Sequence, residues 1–152
     1  MRAVLQRVKH AKVTIDGRVS GEIGTGFLIL LGVAPEDTSE EALYLAKKCV
    51  GLRVFEDEND KMNLALADVG GKILAVSQFT LYADCRKGKR PNFTRAAKGD
   101  QARELYKYFV DCCRGLGVET QTGEFGADMK VELLNDGPVT IMLDTDELIR
   151  KK

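Results

Sequence analysis

The 152-residue sequence predicts a single α+β domain, with two helices set apart from a mostly antiparallel sheet. Three observations predict it. Seven or eight short segments carry β-branched or alternating strand patterns, whereas only two show helical spacing. The length fits one domain and is enough to bury a core without disulfides or metals. No linker, internal repeat or low-complexity stretch divides the chain. The domain is expected to span residues 1–145, followed by a short tail, 146–152, that ends in Arg150, Lys151 and Lys152.

Taken in order, RAVLQRV (2–8) reads as a first strand. KVTI and RVSGEI flank Asp16-Gly17, a two-residue hairpin turn between β-branched runs. FLILLGV (27–33) is a continuous apolar run of strand length and predicts a strand buried on both faces. Thr38 and Glu41 form a capping box for a helix over 39–50, with Ala42, Leu43, Ala46, Cys49 and Val50 on its inner face and Gly51 at its end. RVFE (53–56) is a short strand, and the acid-rich EDENDKMN after it is a solvated turn. KILAVSQFTLY (72–82) is a second apolar strand. Asp100 can cap a helix running to about Gly115, whose inner face is read as Leu105, Tyr108, Phe109 and Cys112. VETQTG and MKVELL are strands, NDGP (135–138) is a turn, and VTIML (139–143) closes the chain.

Composition narrows the function. An apolar fraction of 44% beside 30% charged residues describes a soluble globular chain. Lysine plus arginine balance aspartate plus glutamate at 23 each, which excludes a strongly basic whole-chain nucleic-acid binder but not a local patch. No apolar run approaches the roughly 18 residues of a membrane span, and MRAVLQRVKH lacks a signal peptide's apolar stretch. The expected location is the cytoplasm, with no membrane or DNA partner. Cys49, Cys85, Cys112 and Cys113 contain no C-x-x-C pair and read as reduced thiols, so neither metal nor cofactor is expected. His10, the single histidine, lies between Lys9 and Lys12 and reads as an exposed turn residue, which leaves Ser-His-Asp and Cys-His chemistry without its base. No Walker A or G-x-G-x-x-G pattern is present.

Two segments carry more polarity than their surroundings require. In Ser77-Gln78-Phe79-Thr80 an apolar strand runs into three polar side chains, and strand alternation would put Gln78 with Thr80 and Ser77 with Phe79. Asn135-Asp136-Gly137-Pro138 is dense in turn formers, and ordinary side-chain capping is the simpler account of it. Between them lies RKGKRPNFTRAAK (86–98), with six cations and no acid. Arg86, Lys87, Lys89 and Arg90 head this patch, which suits a phosphate backbone, with Phe93 available for stacking.

SQFTLYAD (77–84) and NDGPVT (135–140) resemble the two signature motifs of the D-aminoacyl-tRNA deacylases. The resemblance continues through LQRV, the hairpin, LLGV, KMNLALADVGG, KGKRPNF and GEFGADMKVELLNDGP, and so covers nearly the whole chain in order. Phe27 stands where the family usually has leucine, and His10 and Lys12 replace smaller or polar residues; neither change touches a motif.

The resemblance implies a barrel-like core, a homodimer, and hydrolysis of the ester between a D-amino acid and tRNA. It implies that Gly137-Pro138 matches a cis Gly-Pro element inserted into the partner's site, where its carbonyls exclude an L side chain while D-aminoacyl and achiral glycyl groups are admitted. Arg7 resembles the arginine that holds this element. Ser77, Gln78, Phe79 and Thr80 would form the other wall, with Ala97, Phe125 and Met129 near the terminal adenosine or aminoacyl group. Two mechanisms stay open: attack by the Thr80 hydroxyl, or water attack assisted by the ribose 2′-hydroxyl with backbone N–H groups near Phe79 and Thr80 holding the oxyanion. The poor acid–base inventory favours the second. The rival class is a non-catalytic tRNA- or RNA-binding module using the basic 86–98 segment.

Overall fold

The computed structural model describes residues 1–150; Lys151 and Lys152 of the tail lie outside the described residues. One strand organises the rest. β1 (Arg2–Ile15) is 14 residues long and pairs antiparallel with β3 (Gly26–Gly32) along its first half and with β2 (Arg18–Ile23) along its second. Its other edge pairs with β8 (Lys130–Asp144). β6 (Lys72–Ser77) joins β3 in parallel, and β7 (Thr120–Thr122) joins β6 in parallel. The turn between β1 and β2 is the expected one: Asp16 and Gly17 both have positive φ, 50° and 78°.

The sheet curls toward closure because β2 leans back on β7. Ser20 Oγ donates to Thr122 O at 3.1 Å. A Cβ on Gly21 would lie 2.6 Å from that same carbonyl oxygen, so only glycine allows the approach. Strand alternation then fills both faces. Val8, Ala11, Val13, Ile23, Leu28, Leu74 and Val76 pack inside the curl. Leu5, Phe27, Ile29, Leu31, Ile73 and Ala75 face outward onto α1 (Ser39–Gly51) and α3 (Gly99–Gly115). The apolar run at 27–33 is therefore buried on both sides, as its composition predicts.

The helices follow local rules with two corrections. Thr38 caps α1 through Glu40 N–H at 3.2 Å, while Glu41 Oε1 accepts the Thr38 N–H at 2.6 Å, completing the capping box. Asp100 does not cap α3. Lys98 holds that position, and Asp100 sits within the first turn, where its charge favours the helix dipole. The inner face of α3 is Ala102, Tyr106, Phe109, Val110 and Cys113, one position round from the expected set; Tyr108 is exposed and Leu105 and Cys112 are half-buried. The acid-rich turn after β4 (Phe55–Glu56) closes a small hairpin with β5 (Met62–Leu64), and a single turn, α2 (Leu66–Val69), follows. Backbone N–H groups of Lys61 and Asn59 hold the Asp57 carboxyl below its usual range there. His10 is exposed, within β1 rather than in a turn.

Cys49 of α1 and Cys113 of α3 are fully buried free thiols. Burial pushes Cys113 up to about 12, and burial together with Cys113 pushes Cys49 well up. Above pH 9 the unfolded chain releases these protons while the folded chain keeps them, so stability falls as pH rises. The loss is expected to begin near pH 9 and to continue as pH rises through the range in which only the unfolded thiols are ionised. Urea unfolding against pH should show it, and a Cys49→Ala/Cys113→Ala protein should lose most of it.

Candidate active site

The site lies where the parallel strands end. Beyond the last residues of β3 and β6 a cleft of about 400 Å³ opens, lined by Leu31, Val33, Val76, Ser77, Gln78 and Phe79 on the sheet side. Ala97, Gly99, Ala102 and Tyr106 supply the helix side, and the 125–131 segment, with Phe125, Gly126 and Met129, supplies the third wall. Carboxyl ends of parallel strands are a common place for such a crevice. Backbone bonds hold its rim: Gln78 N–H donates to Leu31 O at 2.8 Å and Ala97 N–H to Val33 O at 2.8 Å. Tyr106 Oη donates to Ala75 O at 2.7 Å and pins α3 against β6.

The expected strand over 72–82 stops at Ser77. Phe79–Tyr82 forms a 3₁₀ turn instead. The reason is visible in the sequence, where the apolar run ILAV gives way to polar side chains that cannot continue a strand buried on both faces. The turn's bonds begin with Leu81 N–H to Gln78 O at 3.2 Å, so the Phe79 and Thr80 N–H groups stand at its open end. The pairing of Gln78 with Thr80 survives: Gln78 Nε2 donates to Thr80 Oγ1. Thr80 itself is exposed, beside the cleft rather than among its lining residues.

Among the described residues lining the cleft there is no Asp, Glu, His, Lys, Arg or Cys. Tyr106 is the one titratable group, and burial pushes it up to about 12. No group of three His, Cys, Asp or Glu among the described residues is placed to hold a metal. What the cleft offers a reaction is backbone N–H groups, the Ser77 hydroxyl, the Gln78 amide and apolar walls.

The second motif lies elsewhere on the chain. NDGP is not a turn between two strands. β8 runs on through it, and the ladder with β1 passes from Val8↔Asn135 to Gln6↔Thr140. Four residues of β8, 136–139, therefore stand against the single Arg7 and bulge out of the sheet. Asn135 ties the bulge's base: its Oδ1 accepts the Val139 N–H at 2.8 Å, and its Nδ2 donates to Thr140 Oγ1 at 2.9 Å. Arg7 is buried behind it, donating from Nε to Asp136 O at 2.9 Å, from Nη1 to Val54 O at 2.7 Å and from Nη2 to Glu56 Oε1 at 3.4 Å. The Gly137-Pro138 peptide is cis. Gly137 has φ 136°, and a Cβ there would meet Arg7 Nη2 at 3.0 Å. Gly137 and Pro138 are exposed and do not line their own chain's cleft.

The structure thus brings Ser77, Gln78, Phe79, Ala97, Phe125 and Met129 to one cleft with Thr80 beside it, and gathers Arg7, Gly137 and Pro138 into a separate projection. Lys87, Lys89 and Arg90 are exposed in the loop after the 3₁₀ turn. Arg86 is also exposed, but it forks onto Asp84 at 2.9 and 2.7 Å, and Arg86 holds that carboxyl down at about 2. Its charge is thereby largely matched, a partner that reading 86–98 alone leaves out. Sequence reasoning also missed Asn135 as the bulge's anchor and Tyr106 as the pin of the cleft. For Asn135 the signal was present in its preference for side-chain-to-backbone bonds.

Replacing Arg7 tests the projection's support. A lysine cannot reproduce a fork onto three acceptors. Arg7→Lys is expected to lose about 2–4 kcal/mol through unpaired buried carbonyls, a drop of roughly 5–15 °C in Tm for a chain of this size. A thermal melt reads it directly.

Comparison with known proteins agrees with this architecture. The family model described as D-Tyr-tRNA(Tyr) deacylase matches residues 4–144. A D-aminoacyl-tRNA deacylase of Koribacter versatilis (strain Ellin345) is 61% identical over 145 residues, covering 95% of this chain and 97% of the relative. One of Thermus aquaticus is 59% identical over 147 residues, covering 97% of each. Among solved structures, the c-Myc DNA Unwinding Element Binding Protein superposes with a TM-score of 0.89 at 42% identity, covering 95% of this chain and 98% of that one. On the match of nearly its whole length, the chain belongs to the D-Tyr-tRNA(Tyr) deacylase family.

Proposed function

We propose that this chain is a cytoplasmic hydrolase that cleaves the ester between a D-amino acid and the terminal adenosine of tRNA. It acts as a homodimer in which each cleft is completed by the Gly137-Pro138 projection of the other copy. The observation that carries this reading is the division of the two motifs. Ser77, Gln78 and Phe79 line an open cleft with Thr80 beside it, whereas Gly137 and Pro138 are exposed and stand outside the lining of their own chain's cleft. The family's deacylases lend the substrate class.

In this reading water adds to the ester carbonyl carbon, and the resulting oxyanion is held by the Phe79 and Thr80 N–H groups. The intermediate then collapses, the carbon–oxygen bond to ribose breaks, and the ribose oxygen leaves with a proton. Donors of this kind contribute roughly 10²–10³-fold each. The lining supplies no general base, so the substrate's own 2′-hydroxyl assists the water. Thr80 already accepts a hydrogen bond from Gln78, which suits an orienting role better than a nucleophilic one. The second copy's projection fills the space beside the α-carbon that an L side chain would need. Because the filter is steric, glycyl-tRNA passes as well. Lys87, Lys89 and Arg90 contact tRNA phosphates.

The test is paired deacylation of D-tyrosyl-tRNA and L-tyrosyl-tRNA against a no-enzyme control. Release of the D ester alone supports the reading. Release of both keeps the hydrolase and removes the filter, and tRNA binding with no release favours the RNA-binding module. Two variants refine it. Thr80→Ala should keep substantial activity, whereas a substrate ending in 2′-deoxyadenosine should be hydrolysed at least tenfold more slowly; the reverse pattern in single-turnover assays restores Thr80 as nucleophile. Asn135→Ala should loosen the projection and lower the D/L rate ratio by roughly tenfold, as the same paired assay reads.

A further inference from the structure

Phe79 contributes more than its backbone. The residue is 56% exposed, and its ring meets that of Phe93, a residue 38% exposed, edge to face at 5.1 Å and 72°. An edge-to-face contact covers one face of one ring only, so the pair keeps an open aromatic face. Two large apolar rings exposed on this chain, one of them in the cleft's lining, call for an explanation.

The loop that carries Phe93 is held in place. Asp84 and Asn92 exchange backbone bonds of 2.7 and 2.9 Å, which ties the loop back to the end of the 3₁₀ turn. Between these two anchors lie Lys87, Lys89 and Arg90, all exposed. In chain order, three exposed cations precede Phe93, Phe93 meets Phe79, and Phe79 lines the cleft. This order of charge, then stacking surface, then pocket is the pattern by which single-stranded nucleic acid is held.

We infer that the Phe79–Phe93 pair is a stacking platform for an unpaired base of the tRNA 3′ end, next to the terminal adenosine. The inference rests on the tRNA substrate proposed above. The platform makes the chain prefer an ester carried on tRNA to the same ester on a lone adenosine. The cations hold the phosphates on either side of the stacked base, and the Phe79 backbone stays with the reacting carbonyl.

Two measurements test it. The first is the ratio of kcat/KM on D-tyrosyl-tRNA to kcat/KM on D-tyrosyl-adenosine. Phe93→Ala should lower this ratio by roughly 5- to 100-fold, the worth of one base stack, and Phe93→Tyr should restore it. An unchanged ratio, or equal loss on both substrates, overturns the platform. The second does not need catalysis. The chain contains no tryptophan, so Phe93→Trp places a single indole in the platform. Titration with the unacylated tetranucleotide ACCA should quench its emission, and more steeply at low salt. No response to ACCA overturns the platform, and a change that follows protein concentration alone overturns it and assigns the pair to a contact between copies. Wild-type failure to release D-tyrosine would sink the proposed activity separately, with the quenching result still readable.

Discussion

A guanidinium buried between two strands is the constraint on which this architecture turns. Arg7 lies in the middle of β1, where β8 should simply pair with it. Instead four residues of β8 stand against it and are pushed out of the sheet. The bulge leaves backbone carbonyls without ladder partners, and Arg7 takes up that of Asp136 while also serving Val54 and Glu56. Burying such a charge without partners would be costly. Satisfied by three acceptors, it instead fixes where the projection leaves the sheet and ties that point to the chain just after α1. Gly137 follows from the same packing, since any Cβ would crowd the guanidinium.

The cleft shows the complementary economy. Its walls are apolar, its one titratable side chain is a tyrosine engaged with Ala75 O, and its polar offer is mainly backbone. Such a site is poorly suited to general acid–base catalysis and well suited to holding a substrate that brings its own hydroxyl. An aminoacyl ester on ribose is such a substrate. Specificity by excluded volume fits the same logic. A pocket that draws little on side-chain chemistry discriminates by shape, and shape is held best by rigid backbone.

Much of this was legible in the sequence, for identifiable reasons. The hairpin at Asp16-Gly17, the capping box at Thr38 and Glu41, and the doubly buried strand at 27–33 are local rules, and the structure follows them. The misses arise where distant partners decide. NDGP reads as a turn because its residues are turn formers; only the pairing of β8 with β1 on both sides makes it a bulge. The strand at 72–82 stops at Ser77 because the next residues must turn at the cleft rim. The face of α3 shifts by one position because Tyr106 reaches the Ala75 carbonyl. Arg86 reads as free charge until Asp84 is seen beside it. For the site, the two motifs mark residues that the fold sets at the cleft and on the β8 bulge, and their separation on one chain is a property of the fold alone.

In the proposed dimer an active cleft combines the 77–80 wall of one copy with the Arg7-held projection of another. The most direct measurement is a crystal structure with a non-hydrolysable D-tyrosyl-3′-aminoadenosine. Two chains are expected, with the ligand's carbonyl oxygen facing the Phe79 and Thr80 N–H groups and Pro138 of the second copy against the ligand's α-carbon. A ligand seated in the cleft with no second chain near its α-carbon would contradict it.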